Sequence, residues 1–322
     1  MFSLDELKDA AALVHAHMDP TPQYTWPLLS QRIGAEVCVK HENHGPTGAF
    51  KVRGGITFID WLQRTHPDMR GICTATRGNH GQSQARAATA AGLVAKVYAP
   101  RGNSVEKNRA MQAFGAELIE FGADFDEARE EAFRVAALED LFIVPPYHPE
   151  LVRGVATYGY ELLSARPDLD TVYVPIGCGS GICGTIAARD ALGLDTKIVA
   201  VVSDAAQTAM LSVQAGRLIE TNSANTFADG MAVRVPVQEA IDVYGPGSDR
   251  FVSVSDAEVA EAMRVYFHDT HNVAEGAGAA PLAALMQERE KMQGKKVGVI
   301  LCGGNVDTAK FAAVLAGEVP AP

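Results

Sequence analysis

Short apolar runs rich in β-branched residues recur along the chain, and helix-like stretches separate them. The runs predict strands at residues 37–39, 72–76, 94–99, 118–121, 141–144, 171–176, 198–202, 251–254 and 297–301. Amphipathic or alanine-rich stretches at 82–91, 124–138 and 256–267 predict helices between them. Strands that are apolar on both faces and alternate with helices are typical of parallel sheets in an α/β fold. The number of strand–helix units favours two sheets over one.

The chain gives little indication of where one lobe would end and another begin. It has no internal repeat, low-complexity tract or obvious linker. The proline-rich stretch at 145–149 is the best candidate for a boundary, because clustered prolines interrupt helices and strands. A length of 322 residues suits one large domain or two lobes.

Charge and cysteine content narrow the setting in which the protein works. The net charge is −11 and no run is rich in Lys or Arg, which disfavours a nucleic-acid partner or an anionic membrane. The five cysteines form no CxxC pair, which favours a reducing compartment over a disulfide scaffold. The N-terminus mixes charges early, unlike a signal peptide, and no run of about 18 apolar residues could span a membrane. We therefore expect a cytoplasmic protein without a membrane partner.

The segment at residues 41–55 carries the first candidate for chemistry. It follows a predicted strand, contains turn-forming Gly and Pro, and leads into a helix that begins near Lys51. Lys51 stands among small and apolar residues, where partial burial would favour the neutral, nucleophilic amine that forms imines. In isolation, a lysine in such a segment is more often a solvated helix residue.

The glycine-rich loop at residues 177–184 follows a predicted strand and precedes a helix. Bare N–H groups and the helix dipole at such a junction favour a bound anion. The loop matches neither GxGxxG nor the GK[ST] ending of a nucleotide-binding P-loop, so a single phosphate group fits better than a dinucleotide. A glycine turn that serves only tight packing remains the alternative.

Two further strand ends carry polar or glycine-rich residues. Thr76, Asn79 and His80 offer a hydroxyl, an amide and an imidazole where ligands gather in open α/β sheets. Asn79 could instead simply cap a helix. The segment at 301–307 has two glycines that permit close approach to a ligand, with a tight turn as the alternative.

Taken in order, these four segments resemble the fold-type II pyridoxal-phosphate enzymes, specifically the serine/threonine dehydratase and serine racemase family. The TGAFKVRG stretch around Lys51 and the GNHGQ stretch at 78–82 are the most specific matches. The resemblance also includes residues 21–22, 40–43, 177–184, 228–230 and 302–307, and so covers almost the whole chain.

The resemblance implies a role for each residue that matches a family motif. Lys51 would form the Schiff base with pyridoxal 5'-phosphate, Asn79 would bind the phenolic oxygen, and Cys302 would face the pyridine nitrogen. The other implied residues are Phe50 beside the ring, Gly177, Cys178, Gly179, Ser180 and Gly181 around the phosphate, and Thr76 and His80 near the substrate carboxylate.

The resemblance also implies a fold and an assembly. The expected architecture is tryptophan synthase beta-like, with two open parallel-sheet lobes and the cofactor between them. The large lobe would be discontinuous, comprising residues 1–51 and 149–322, and the small lobe would comprise 52–148. Relatives are often dimers, so a homodimer is expected. No regulatory C-terminal domain of the kind found in biosynthetic threonine dehydratases is expected.

The implied activity is α,β-elimination on a 3-hydroxy amino acid of the threonine or serine type, which gives a 2-oxo acid and ammonia. Arg77 departs from the family, which commonly has Ser or Ala there; an arginine is a poor proton carrier, which disfavours racemisation. Its guanidinium could bind a second carboxylate and select 3-hydroxyaspartate or another unusual substrate such as 3-phenylserine, or it could simply face solvent. A β-replacement enzyme and a non-catalytic cofactor-binding protein are less favoured.

Other pocket and metal residues are harder to assign from the sequence. Pro46, Arg134 and Glu275 are candidates for the pocket wall without a definite position. The segment at 203–208, where some relatives bind a divalent metal, supplies one carboxylate, so a metal is possible but not predicted.

Overall fold

Ten strands form two separate sheets in a computed structural model that describes residues 1–322. The first six strands are β1 (Gln23–Thr25), β2 (Glu36–His41), β3 (Gly71–Ala75), β4 (Val94–Ala99), β5 (Glu117–Glu120) and β6 (Phe142–Ile143). The remaining four are β7 (Thr171–Pro175), β8 (Lys197–Ser203), β9 (Arg250–Val254) and β10 (Lys296–Leu301). The six-stranded sheet has the order β1-β2-β10-β7-β8-β9, and the four-stranded sheet has the order β5-β4-β3-β6.

All strand pairs are parallel except β1 with β2. The predicted α/β fold with two parallel sheets is therefore confirmed, and each of the nine predicted strands overlaps an observed one. The sequence missed β1, because a three-residue edge strand of partly exposed polar residues has no apolar run. The strands of the smaller sheet all lie within the predicted small lobe, whose limits of 52 and 148 remain a prediction.

Thirteen helices cover the sheets. They are α1 (Leu4–His15), α2 (Pro27–Ile33), α3 (Lys51–Thr65), α4 (Asn79–Ala90), α5 (Val105–Ala113), α6 (Phe125–Glu139), α7 (Pro149–Ala165), α8 (Ser180–Ala191), α9 (Thr208–Ala215), α10 (Gln238–Gly247), α11 (Asp256–Thr270), α12 (Gly276–Gln287) and α13 (Thr308–Leu315). Helices α4, α6 and α11 confirm the three predicted helices. None of the helices combines the length and the apolar character that crossing a membrane requires.

Helix starts differ in a way that bears on function. Helices α1, α5, α6 and α11 each begin with a Ser or Asp side chain that accepts from an N–H group of the first turn. Helices α4 and α8 have glycine at the N-cap and no side-chain cap. Because the first N–H groups of a helix have no partner within it, these two helix starts leave donors for other acceptors.

A buried ionic network fixes the start of α3. The Arg53 guanidinium donates to Glu42 at 2.8 Å and to Glu161 at 2.6 Å, and the Lys40 amine donates to Glu161 at 2.5 Å. Arg53, Glu42 and Lys40 are fully buried. The network joins the end of β2 and the helix α7 to α3, and so restrains the helix whose first residue is Lys51.

Candidate active site

Lys51 is held against the loop that follows β10. The N–H group of Phe50 donates to the carbonyl oxygen of Cys302 at 2.9 Å, and that of Gly304 donates to the carbonyl of Gly48 at 2.9 Å. Gly48 has a φ of +67°, and a Cβ at this position would lie 2.4 Å from the Asn305 side chain. Two segments far apart in sequence thus meet where α3 begins.

The amine of Lys51 has no polar partner. Its Nζ makes no hydrogen bond or ion pair and lies 4.8 Å from the centre of the Phe50 ring, while the residue is half-buried. The backbone is fixed separately, since the Ser83 hydroxyl on α4 donates to the Lys51 carbonyl at 2.6 Å. No side chain of the protein therefore engages this amine, which leaves it free to react with a bound ligand.

The glycine-rich loop presents a bare stretch of backbone. The six N–H groups of residues 177–182 donate to no acceptor within the protein. A Cβ at Gly177 would lie 2.1 Å from the carbonyl oxygen of Gly230, and one at Gly181 would lie 3.7 Å from the Phe50 ring. Gly179, at the N-cap of α8, has a φ of +100°. Consecutive free donors at a helix N-terminus, with glycine at three of the six positions, fit a phosphate group.

Asn79, the first residue of α4, is held by two residues of distant segments. Its Nδ2 lies 2.8 Å and 3.0 Å from the two carboxylate oxygens of Glu275, and its Oδ1 accepts from Asn305 at 2.8 Å. Asn79 therefore does not cap α4, whose N-cap is Gly78. The sequence left Glu275 without a position and gave Asn305 no role of its own, although Asn305 stands within the glycine-containing segment at 301–307.

The predicted substrate-side residues lie around the start of α4. Thr76 is buried and its hydroxyl accepts from the Gly78 N–H at 3.1 Å. The Nε2 atom of His80 is buried without a partner, and burial, together with the nearby Lys51 charge, lowers the pKa of His80 to about 3. Arg77 is exposed, and its guanidinium makes no hydrogen bond or ion pair. A neutral imidazole and a free guanidinium thus flank Asn79.

Cys302 is buried beside the carboxylate of Glu275. Burial, reinforced by that carboxylate, raises the pKa of the Cys302 thiol far above its ordinary value. Burial also raises the pKa of Glu275, an effect that the Lys107 ammonium and the Asn79 amide oppose. The thiol is consequently neutral, and it can offer a neighbouring group only a weak hydrogen bond without a charge.

Helix α5 and its N-cap contact the segments that carry Asp229, Asp307 and Thr308. The Lys107 ammonium pairs with Asp229 at 2.5 Å, and the Glu106 carboxylate accepts from the N–H and hydroxyl of Thr308 at 3.0 and 3.1 Å. The Ser104 hydroxyl bonds to Asp307. These pairs were not predicted, because their partners are more than 100 residues apart in sequence. The pocket beside them is lined by Lys107, Phe227, Asp229, Gly230, Glu275, Gly276, Ala277, Asn305, Val306, Asp307 and Lys310.

Other candidates contribute nothing to this cluster. Arg134, considered for the pocket wall, is exposed and pairs with Glu131 on its own helix at 2.6 Å. No group of three or more His, Cys, Asp or Glu side chains is arranged to hold a metal ion.

The chain is similar to known proteins over most of its length. A family model described as "Pyridoxal-phosphate dependent enzyme" matches residues 14–303. The chain is 32% identical over 308 residues to an L-threonine ammonia-lyase of Thermotoga maritima, with 95% of this chain and 76% of that protein covered. It is 30% identical over 319 residues to an L-threo-3-hydroxyaspartate ammonia-lyase of Saccharomyces cerevisiae, with 98% and 97% covered.

Solved structures show the same similarity. The processed form of threonine deaminase isoform 2 from Solanum lycopersicum matches with a TM-score of 0.89 and 27% identity over 98% of this chain and 94% of that one. Maize serine racemase matches with a TM-score of 0.90 and 26% identity over 98% and 97%.

Proposed function

Because the chain belongs to the family of pyridoxal-phosphate-dependent enzymes, we propose that it is an ammonia-lyase acting on a 3-hydroxy amino acid of the threonine or serine type. The products are a 2-oxo acid and ammonia. Relatives named ammonia-lyases support this activity, since each aligns with nearly the whole of this chain. The observation that carries the proposal is the unpaired Lys51 amine in one cluster with the bare backbone of residues 177–182.

The residues of the cluster fit the cofactor part by part. Lys51 would hold it covalently, the free N–H groups of residues 177–182 would bind its phosphate, and Phe50 would pack beside its ring. Asn79 would donate to the phenolic oxygen and Cys302 would face the pyridine nitrogen. When bound, the cofactor withdraws electrons from the α-carbon of the amino acid and so makes its proton acidic.

The protein side chains orient the substrate and remove its α-proton. The Lys51 amine, which no hydrogen bond or ion pair of the protein engages, removes the α-proton as a general base. Thr76 and His80 orient the substrate carboxylate. The neutral Cys302 thiol offers no charge to the pyridine nitrogen, which favours departure of the β-hydroxyl over reversible exchange of the α-proton.

A substrate panel tests this proposal. Purified protein supplied with pyridoxal phosphate would be incubated with L- and D-serine, threonine, 3-hydroxyaspartate and 3-phenylserine, and release of ammonia and 2-oxo acid would be followed. We expect turnover of at least one 3-hydroxy amino acid without an added nucleophile. Absence of ammonia and 2-oxo acid, with a β-substituted amino acid formed once a nucleophile is added, would indicate β-replacement and overturn the assignment.

A dicarboxylic substrate, 3-hydroxyaspartate, is a second candidate, favoured by Arg77. Its guanidinium is exposed and unpaired in a chain with 39 acidic residues, and it lies directly between Thr76 and the start of α4. A free guanidinium suits bidentate binding of a second carboxylate. Two related proteins are named L-threo-3-hydroxyaspartate ammonia-lyases.

The Arg77→Ala variant decides between the two substrate types, with Arg70→Ala as the matched control. Arg70 is also exposed and unpaired, but it stands at the opposite end of β3. If Arg77 binds the second carboxylate, its loss should lower kcat/KM for 3-hydroxyaspartate by about tenfold to 100-fold and leave threonine almost unchanged. Equal losses on both substrates, or none, would remove this role.

We also propose that the protein acts as a homodimer in the cytoplasm. Five unpaired cysteines support a reducing compartment, and the exposed side chains of Tyr24 on the edge strand β1 and Leu28 on α2 offer apolar surface for a second copy. Light scattering should give twice the chain mass of 34.2 kDa. The single chain mass at all concentrations would contradict the dimer, and cell fractionation would test the compartment.

A further inference from the structure

The side chain of Asn79 can adopt only one orientation among its neighbours. Asn305 uses one nitrogen, Nδ2, to donate both to the carbonyl oxygen of Thr47 at 2.8 Å and to Asn79 at 2.8 Å. Because the Thr47 carbonyl only accepts, this Asn305 atom must be the donor, and the Asn79 atom facing it must be the oxygen. The amide nitrogen of Asn79 then points at Glu275.

Glu275 binds this nitrogen in a way that leaves one N–H group free. The nitrogen lies at nearly equal distances, 2.8 and 3.0 Å, from the two carboxylate oxygens. Such a position directs a single N–H group between the two oxygens, and the amide has two. The second N–H group of Asn79 therefore remains available to a further acceptor.

The position of Glu275 is itself built by its surroundings. Its backbone N–H donates to the Gly303 carbonyl at 3.0 Å, and a Cβ at residue 303 would lie 2.5 Å from its carboxylate oxygen, so a larger residue there would displace the carboxylate. Burial raises the pKa of Glu275, and the ammonium of Lys107, which comes from α5 and pairs with Asp229, opposes that rise. The residue is buried, and both of its carboxylate oxygens lie within hydrogen-bond distance of the Asn79 amide nitrogen.

We propose that Glu275 and Asn305 are positioning residues that orient Asn79 so that its free N–H group meets the cofactor. This inference rests on the proposed function, which gives Asn79 the phenolic oxygen of pyridoxal phosphate. Asn79 begins a helix that packs on the four-stranded sheet, whereas Glu275 and Asn305 adjoin the six-stranded sheet. Correct orientation of Asn79 thus requires the two sheets to be held together.

A double-mutant cycle on cofactor binding tests the proposal. The variants are Asn79→Ala, Glu275→Gln, the double variant Asn79→Ala/Glu275→Gln, and Asn305→Asp, which places an acceptor where Thr47 and Asn79 need a donor. Glu258→Gln is the matched control, because Glu258 is a half-buried carboxylate that caps α11 instead of contacting Asn79. For each, the Kd for pyridoxal phosphate and the absorbance maximum of the bound cofactor would be measured.

We expect Glu275→Gln and Asn305→Asp each to weaken cofactor binding about tenfold and to shift the absorbance maximum, with Glu258→Gln unchanged. If Glu275 acts through Asn79, the double variant should bind within about twofold of Asn79→Ala. Losses that multiply in the double variant would overturn the proposal. Thermal unfolding of each apo variant identifies any that fails to fold, and Asn305→Asp then tests the orientation independently of Glu275.

These readouts separate the inference from the proposed function. Cofactor affinity and absorbance require no substrate, so they test Glu275 and Asn305 even if no amino acid is turned over. Release of ammonia by a Glu275→Gln variant with unchanged cofactor affinity and spectrum would leave the function standing and refute the positioning role.

Discussion

Replacing Gly177 with alanine should weaken binding of the phosphate part of the cofactor. The new Cβ would lie 2.1 Å from the carbonyl oxygen of Gly230, whereas an ordinary contact is 3.4 Å or more. Both partners are backbone, so the loop must move by more than an ångström. Gly177 has no positive φ, and the perturbation is therefore steric alone.

The magnitude follows from the hydrogen bonds that the moved loop would lose. The N–H groups of residues 177–182 have no other acceptor, and each hydrogen bond to a charged phosphate contributes about 1.5–3 kcal/mol. Loss of one should lower the affinity for pyridoxal phosphate by about tenfold to 150-fold. Overpacking should also destabilise the fold by about 1–3 kcal/mol.

Titration with two ligands isolates the phosphate contribution. Pyridoxal, which lacks the phosphate, should bind Gly177→Ala within about threefold of its affinity for the wild type. The control is Gly245→Ala, where the nearest atom to the new Cβ would be at 3.5 Å and both affinities should be unchanged. Equal losses for pyridoxal and pyridoxal phosphate, or no loss for either, would refute the assignment of this loop to the phosphate.

Three further predictions concern the elements around the site. Glu106→Ala removes the carboxylate that accepts from Thr308 and so loosens the contact between α5 and α13. The KM for the amino acid should rise by up to about tenfold with little change in kcat, and an unchanged KM would contradict this. Arg53→Met leaves the buried carboxylate of Glu42 without a charged partner and leaves Glu161 with Lys40 and His15 alone, so it should reduce the free energy of unfolding by about 3–5 kcal/mol in urea titration. A loss below about 1 kcal/mol would show that the network is not needed. Although burial opposes it, Arg53 lowers the pKa of Glu161 from 4.5 to about 2, so the contribution of this ion pair to stability is complete above pH 4.5 and is lost as the pH falls towards 2. The melting temperature of Glu161→Gln should therefore vary less with pH over this range than that of the wild type. The same pH dependence in both proteins would count against the pair.

The sequence predicted the strands and the residues at their carboxyl ends because both depend on local pattern. Strand β4 coincides with the predicted run at 94–99, since a short, mostly apolar run that contains two valines and a tyrosine favours a strand. Lys51 and the loop at 177–184 were found for a similar reason, because a strand, a glycine-rich turn and a helix start follow one another in sequence. Their resemblance to a known family then gave each a role.

The groups that orient these residues could not be found in the same way. Asn79 and Glu275 are 196 positions apart, and their contact depends on how the two sheets pack. The pair of Lys107 with Asp229 has the same origin, since the partners are 122 positions apart. Arg134 shows the converse: it was a candidate for the pocket wall, yet its helix directs it to Glu131, one turn away.

The most direct test of the account is to identify the lysine that carries the cofactor. Protein loaded with pyridoxal phosphate would be reduced with borohydride, digested and mapped by mass spectrometry, alongside Lys51→Ala and the exposed control Lys295→Ala. We predict a cofactor adduct on Lys51 alone, and release of ammonia from a 3-hydroxy amino acid by the wild type and Lys295→Ala but not by Lys51→Ala. An adduct on another lysine, or full activity of Lys51→Ala, would contradict the account.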